Sequence, residues 1–258
     1  MADSELEGEH SRAFEFFVSV YGTLPRAGPG GDQYTLEALR HVPGPGARTV
    51  LDLGCGPGAQ TIALARAMPQ ATIIAVDVLP QMVDEANRRI ALEGEAGRVR
   101  AVVGDMAEPD AAPGSQDLVW CESAIYNVGI TEALQAWRPL LADGGVVVFS
   151  EPTWLVDDPP AEIRDWWLAE YPAFCDRAGI EAKVAAAGFR VVATFDLPVD
   201  AWWDDYYAPM QERIRELRRD HPDDPIADEV ASSAEHEIAQ FVEFGHTYCY
   251  AFFVVEPV

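Results

Sequence analysis

An apolar segment that runs into glycines and restarts at once as a helix leaves a chain few ways to fold, and residues 49–68 are such a passage. Thr49-Val50-Leu51-Asp52-Leu53 reads as a strand, Gly54-Cys55-Gly56-Pro57-Gly58 as a tight turn, and residues 60–68 as a helix. Such a turn aims backbone N–H groups and a helix N-terminus at a ligand, and glycines are needed because a Cβ would hold the ligand off. The rhythm then repeats. Thr72-Ile73-Ile74-Ala75-Val76-Asp77 is a second strand, residues 81–93 a helix, 99–103 a third strand, 117–121 a fourth, 131–141 a helix and 145–150 a fifth strand. Alternation at this pitch predicts an α/β fold with a parallel sheet covered on both faces.

The pattern loosens afterwards. Residues 154–160 read as loop, 161–170 and 180–187 as helices, 189–197 as a sixth strand and 248–255 as the last. Between these two strands lies a segment, 198–247, with amphipathic helices over 209–219 and 227–244. It is too long for a hairpin and is expected to cover the active site. Ahead of the first strand, helices over 9–20 and 33–41 form an N-terminal cap, 1–46, closed by Val42-Pro43-Gly44-Pro45-Gly46. A length of 258 residues is long for one domain, but an α/β domain with these embellishments fills it, so 1–258 is read as a single unit with its ligand-binding core at 47–151.

Charge narrows the partners. Lys+Arg 18 against Asp+Glu 43 leaves a net charge of −25, and nucleic acid would meet a repulsive field over most of such a surface. Hydrophobic residues at 49% supply a sizeable core, yet no run of 18 apolar residues is present, and the acids at Asp3, Glu5, Glu7 and Glu9 stand where a secretory signal needs positive charge. A cytoplasmic protein that does not bind membranes is expected. Cys55, Cys121, Cys175 and Cys249 form no C-x-x-C pair, so reduced thiols are expected, with neither a disulfide framework nor a metal site.

A glycine-rich turn alone also serves nicotinamide and flavin cofactors. Here the spacing is G-x-G-x-G, Asp52 precedes the first glycine, Asp77 ends strand two where a carboxylate can accept two ribose hydroxyls, and Gly104-Asp105-Met106 closes strand three. With Leu141-x-x-Gly144-Gly145, this array resembles the class I S-adenosylmethionine-dependent methyltransferases over about the first 150 residues. Gly28-Pro29-Gly30-Gly31, the stretch from Glu122 through Gly129, and Pro160-Ala161-Glu162-Ile163 extend the likeness to bacterial methyltransferases similar to those of ubiquinone and menaquinone biosynthesis. The resemblance implies a seven-stranded sheet of order 3-2-1-4-5-7-6 with the last strand antiparallel, and S-adenosylmethionine, leaving as S-adenosylhomocysteine, across the strands' carboxyl ends. It places Gly54, Gly56 and Gly58 by the methionine part, Asp77 on the ribose and Asp105 with Met106 beside the adenine. Asp52 reaches the methionine end directly or through water, and Gly30, Cys55, Val78, Met82, Gly104 and Glu122 complete the cofactor set.

Methyl transfer from a sulfonium is an in-line displacement with an excellent leaving group, so orientation and desolvation carry it and a general base is dispensable. A base, if used, belongs at the end of strand four or five. Glu122, Tyr126 and Asn127 stand there, Glu151 is the weaker candidate, and His246 precedes the last strand. Tyr21, Tyr126, Glu151, Trp154, Trp202, Tyr206 and Tyr207 are the candidates for holding a small-molecule acceptor, the aromatics as a cage for a cation. Adjacent aromatics are not expected to face one way on a helix, so one of each pair belongs to core or interface; exposed tryptophans in these segments are consistent with a homodimer. Two rival readings stand beside the methyltransferase. A nicotinamide-dependent oxidoreductase is partly admitted by Ala59 but opposed by Asp52 and Asp105; a cofactor-binding protein without catalysis requires a blocked substrate pocket.

Overall fold

The computed structural model describes residues 2–44 and 46–258, with side chains from Ser11 onward; Pro45, in the turn expected over 42–46, and Met1 lie outside the described residues. Strand β1 (Thr49–Leu53) is almost wholly buried, as a central strand covered on both faces requires, and pairs in parallel with β2 (Thr72–Asp77) and β4 (Gln116–Cys121). Beyond them β3 (Val99–Val103) pairs with β2, and β5 (Leu141–Trp154) with β4, again in parallel. The sheet closes with β8 (Tyr248–Pro257), antiparallel between β5 and β7 (Phe189–Asp196). The order β3-β2-β1-β4-β5-β8-β7 is the expected topology, with one addition: a two-residue strand, β6 (Cys175–Asp176), pairs with β5 off this path.

Alternate strand residues feed opposite cores. Leu118 and Trp120 of β4 join the cluster under α3 (Ala59–Ala67) and α4 (Pro80–Leu92), while Val119 and Cys121 join the one under α5 (Ile130–Trp137) and α7 (Arg177–Ala186). Helix α7 starts three residues earlier than its apolar pattern suggests, because the Asp176 carboxylate accepts the Gly179 N–H at 2.8 Å and caps it. Strand β5 is also longer than the 145–150 expected from composition. Its extension is carried by β8, which continues pairing from Ser150↔Phe252 to Trp154↔Tyr248, and Pro152 is admitted because β4 has already ended at Cys121↔Phe149.

A helical layer stands over the carboxyl ends of the strands. Helix α1 (Ala2–Tyr21) packs on α9 (Ala208–Asp220) and α10 (Pro225–Phe244), and Arg12 pairs with Asp224, the residue that caps α10. The cap also holds α2 (Asp32–Arg40), and α6 (Ala161–Glu170) follows β5. Ahead of α9, the short α8 (Asp200–Trp202) widens into a single π turn, Trp203–Tyr207. Among the described residues no helix is long and apolar enough to cross a membrane.

Candidate active site

Strands β1 and β2 and the loop after β4 end around a cavity of about 460 Å³, within the roughly 300–1,000 Å³ usual for small-ligand sites. It lies where β1 leads to β2 on one side and neighbours β4 on the other, the crevice at which open α/β sheets bind ligands. Gly54 turns the chain there at φ +71°, and a Cβ on it would stand 2.4 Å from that of Ala124, so only glycine fits. The Asp77 carboxylate joins two loops, accepting the Gly56 N–H at 2.8 Å and the Leu79 N–H at 2.9 Å. Asp105 accepts the Ala107 N–H at 2.8 Å, which folds the loop after β3 and leaves Met106 on the wall.

Glu122 is held from three sides. Its Oε1 accepts from the Thr35 hydroxyl at 2.7 Å and the Trp120 indole at 2.8 Å, and its Oε2 from the Arg26 guanidinium at 2.9 Å. Burial raises its pKa while Arg26, Thr35 and Trp120 pull it back. Asp52 lies fully buried behind the turn, bonded to the Thr61 hydroxyl and, at 3.4 Å, the Gln60 amide. Burial pushes its pKa up to about 7 against those bonds, with Glu122 and Asp77 adding to the rise. Burial also drives the Cys55 thiol well above its ordinary value, so it remains a thiol.

A second cavity of about 450 Å³ shares Phe17, Tyr21, Ala27, Pro29, Ser123 and Tyr126 with the first. Its walls come from α1, α6, α10 and the π turn, and more than half of them are Tyr, Trp or Phe. Glu237 of α10 is their polar centre. Its Oε1 accepts from the Tyr206 and Tyr207 hydroxyls at 3.0 and 3.1 Å, and its Oε2 from Tyr21 at 3.4 Å. The neighbouring Tyr206 and Tyr207 therefore reach one carboxylate, against the expectation that adjacent aromatics diverge. They are carried by a π turn, wound on i→i+5 bonds, rather than by the α-helix on which that expectation rests.

Of the residues expected at the cofactor, Gly54, Cys55, Gly56, Asp77, Val78 and Met82 line the first cavity, as do Asp105, Met106 and Glu122. Gly58, Gly104, Gly30 and Asp52 do not. A Cβ on Gly58 would press on Ala86 at 3.0 Å and one on Gly104 on Val76 at 3.0 Å, while Gly30 lies against the Arg26 side chain. Of the catalytic candidates, Tyr126 and Asn127 line the first cavity with Glu122, whereas His246 lies between α10 and β8 and lines neither. Tyr21, Trp202, Tyr206 and Tyr207 line the second cavity. Trp154 packs edge-on to Phe174 at 4.4 Å instead, and Glu151 stands behind the wall, its Oε1 accepting the Tyr171 hydroxyl at 2.7 Å. Burial raises Glu151 to about 8, and its Oε2 has no hydrogen-bond partner.

A family described as a methyltransferase domain matches residues 50–145. The trans-aconitate 2-methyltransferase of Delftia acidovorans is 30% identical over 190 residues, covering 67% of this chain and 68% of that protein; that of Methylobacterium radiotolerans is 30% identical, covering 68% of each. The chain belongs to the class I S-adenosylmethionine-dependent methyltransferases. Its fold matches the S-adenosylmethionine-dependent methyltransferase of Geobacter sulfurreducens, solved with S-adenosylhomocysteine, at a TM-score of 0.81 and 24% identity over 95% of this chain and 98% of that one. A Thiobacillus denitrificans enzyme with the same bound product matches at 0.80, with 21% identity over 96% and 98%. The methyltransferase's cofactor is S-adenosylmethionine. Its first cavity suits that molecule: a turn too tight for a Cβ at Gly54, a carboxylate at the end of β2, and acids gathered near a ligand that carries a sulfonium and an ammonium.

Several wall residues escaped the sequence. Gln60 and Ser123 lie inside or beside recognised motifs, and Ser123 holds φ +53°, the one positive value on a non-glycine among the described residues. Such backbone strain concentrates at functional sites. Arg26 and Glu237 had only weak signals, Glu237 sharing a polar stripe with Ser233, His236 and Gln240 at helical spacing.

Proposed function

We propose that this methyltransferase transfers the methyl group to a small organic acceptor held in the aromatic cavity, with positioning and exclusion of water supplying most of the rate. One observation carries the reading: the glycine-turn cavity and the aromatic cavity share a wall from Phe17 to Tyr126, so ligands in the two can meet. S-adenosylmethionine supplies a methyl group on a sulfonium, an electrophile whose leaving group is neutral. Gly54 and Gly56 approach its methionine part, Asp77 receives the ribose hydroxyls, and Asp105 with Met106 borders the adenine, while Val78 and Met82 give apolar walls. Asp52 contributes from behind the turn. Tyr126, on the shared wall, and Asn127, beside it on the first cavity, orient the acceptor. Glu122 positions rather than catalyses, because both of its oxygens are occupied by cap and sheet donors.

Calorimetric titration of S-adenosylhomocysteine and of NADH into the wild type and Asp77→Ala tests the assignment. Hydrogen bonds to a charged group are worth about 1.5–3 kcal/mol, so Asp77→Ala is expected to weaken S-adenosylhomocysteine by roughly 10- to 100-fold. NADH is expected to bind neither protein. Tight NADH binding, or an unchanged affinity in Asp77→Ala, overturns the assignment.

A further inference from the structure

Glu237 is a carboxylate that the chain has surrounded with hydroxyls and aromatic rings but not with a cation. No Arg or Lys nitrogen lies within 4 Å of it among the described residues, whereas Glu122 has Arg26, Asp224 has Arg12 and Asp228 has Arg218. The second charged side chain on the walls, Glu170, is also acidic, and neither Arg nor Lys contributes to this cavity. Among the described residues that line it, the one imidazole is that of His236. Arg26, on the wall of the first cavity, is already spent on Glu122 and Asp32.

Hydrogen bonding leaves room for one more partner. An ionised carboxylate offers about four lone-pair sites. Two tyrosine hydroxyls occupy Oε1, while Oε2 has only the long contact from Tyr21. Around it, Trp166, Trp202, Tyr248 and Tyr250 offer ring surfaces, the arrangement by which proteins hold organic ammonium groups. We infer that the methyl acceptor carries a protonated or quaternary amine, seated in the aromatic cavity with Glu237 as its counter-ion. This rests on the proposed acceptor role of that cavity. It also separates this enzyme from its relatives named for trans-aconitate, a tricarboxylate, which the two wall acids would repel.

The test is calorimetric titration, near pH 8, of the protein saturated with S-adenosylhomocysteine. Phenethylamine and tetramethylammonium are compared with 3-phenylpropionate, the anionic counterpart of the first, and with trans-aconitate. The cations are expected to bind at least about tenfold tighter than either anion, and Glu237→Gln to abolish that preference while its affinity for S-adenosylhomocysteine is unchanged. Binding of 3-phenylpropionate or trans-aconitate as tight as that of the amines overturns the inference, as does a wild type that takes neither amine. The wild-type ranking decides even if Glu237→Gln fails to fold. Failure of the cofactor assignment is seen separately, as loss of the S-adenosylhomocysteine titration itself.

Discussion

Glu122 joins two parts of the chain. Arg26 and Thr35 belong to the N-terminal cap, Trp120 to the sheet, and one carboxylate binds all three. Both members of its ion pair with Arg26 are 5% exposed, so truncating one strands the other's charge away from water. Removing one partner of a buried pair typically costs about 3–5 kcal/mol. Glu122→Ala is therefore expected to lose stability on that scale in urea unfolding, and Glu122→Gln, which keeps acceptor capacity for Thr35 and Trp120, less. A loss below about 1 kcal/mol in Glu122→Ala would show that the pair does not fasten the cap. Position at a strand's end made Glu122 and Asp77 visible in the sequence. Arg26 was not, since its partner is 96 residues away and nothing local marks a single arginine in a loop. Glu237 was hidden for the opposite reason: it is one of many acids on a helix, and only the fold brings three tyrosines from two other segments to it.

At the scale of elements, the glycine turn performs two tasks that one motif conceals. Gly54 and Gly56 face the cavity, whereas Gly58 begins α3 at φ +86° with its Cα hydrogen against Ala86 of α4. Gly58→Ala adds left-handed strain of about 1 kcal/mol and a helix-to-helix overlap of about 1–3 kcal/mol. A stability loss of roughly 2–4 kcal/mol is expected in denaturant unfolding, with S-adenosylhomocysteine affinity kept within about threefold once the variant is folded. A selective loss of affinity with stability intact would make Gly58 a ligand contact instead. The repeated strand-helix alternation and the sheet order were readable because buried parallel strands declare themselves as apolar runs. The ends of β5, the two residues of β6 and the π turn were not, because each is set by a partner strand or by tertiary packing: Pro152 enters a strand only because β8 continues beside it after β4 has stopped.

Over the whole molecule, acidity acts at two ranges. The net charge of −25 repels itself through solvent, a term that salt screens, whereas Asp52 and Glu151 are buried acids that salt cannot reach. Burial raises Asp52 from the ordinary 3.8 to about 7 and Glu151 from 4.5 to about 8. Between each pair of values the folded protein keeps a proton that the unfolded chain has released. Unfolding then releases that proton, so stability from these groups is complete below about pH 4 and declines as pH rises, by up to about 1.4 kcal/mol per unit for each group, levelling above about pH 8. Glu85, lowered to about 2 by Arg88 and Arg89, works in the other direction but only below its ordinary 4.5, outside this window. Thermal unfolding followed from about pH 5.5 to 8.5 is expected to show Tm falling with pH, and raising salt to about 1 M, where the screening length is ~3 Å, is expected to lift the whole curve while leaving its slope. Glu151→Gln is expected to flatten the curve up to about pH 8 and Asp52→Asn only up to about pH 7, since both groups contribute to the slope below pH 7. A slope that vanishes in salt would assign the effect to the surface charge alone, and one unchanged in both variants would mean that neither carboxyl holds its proton in the folded state.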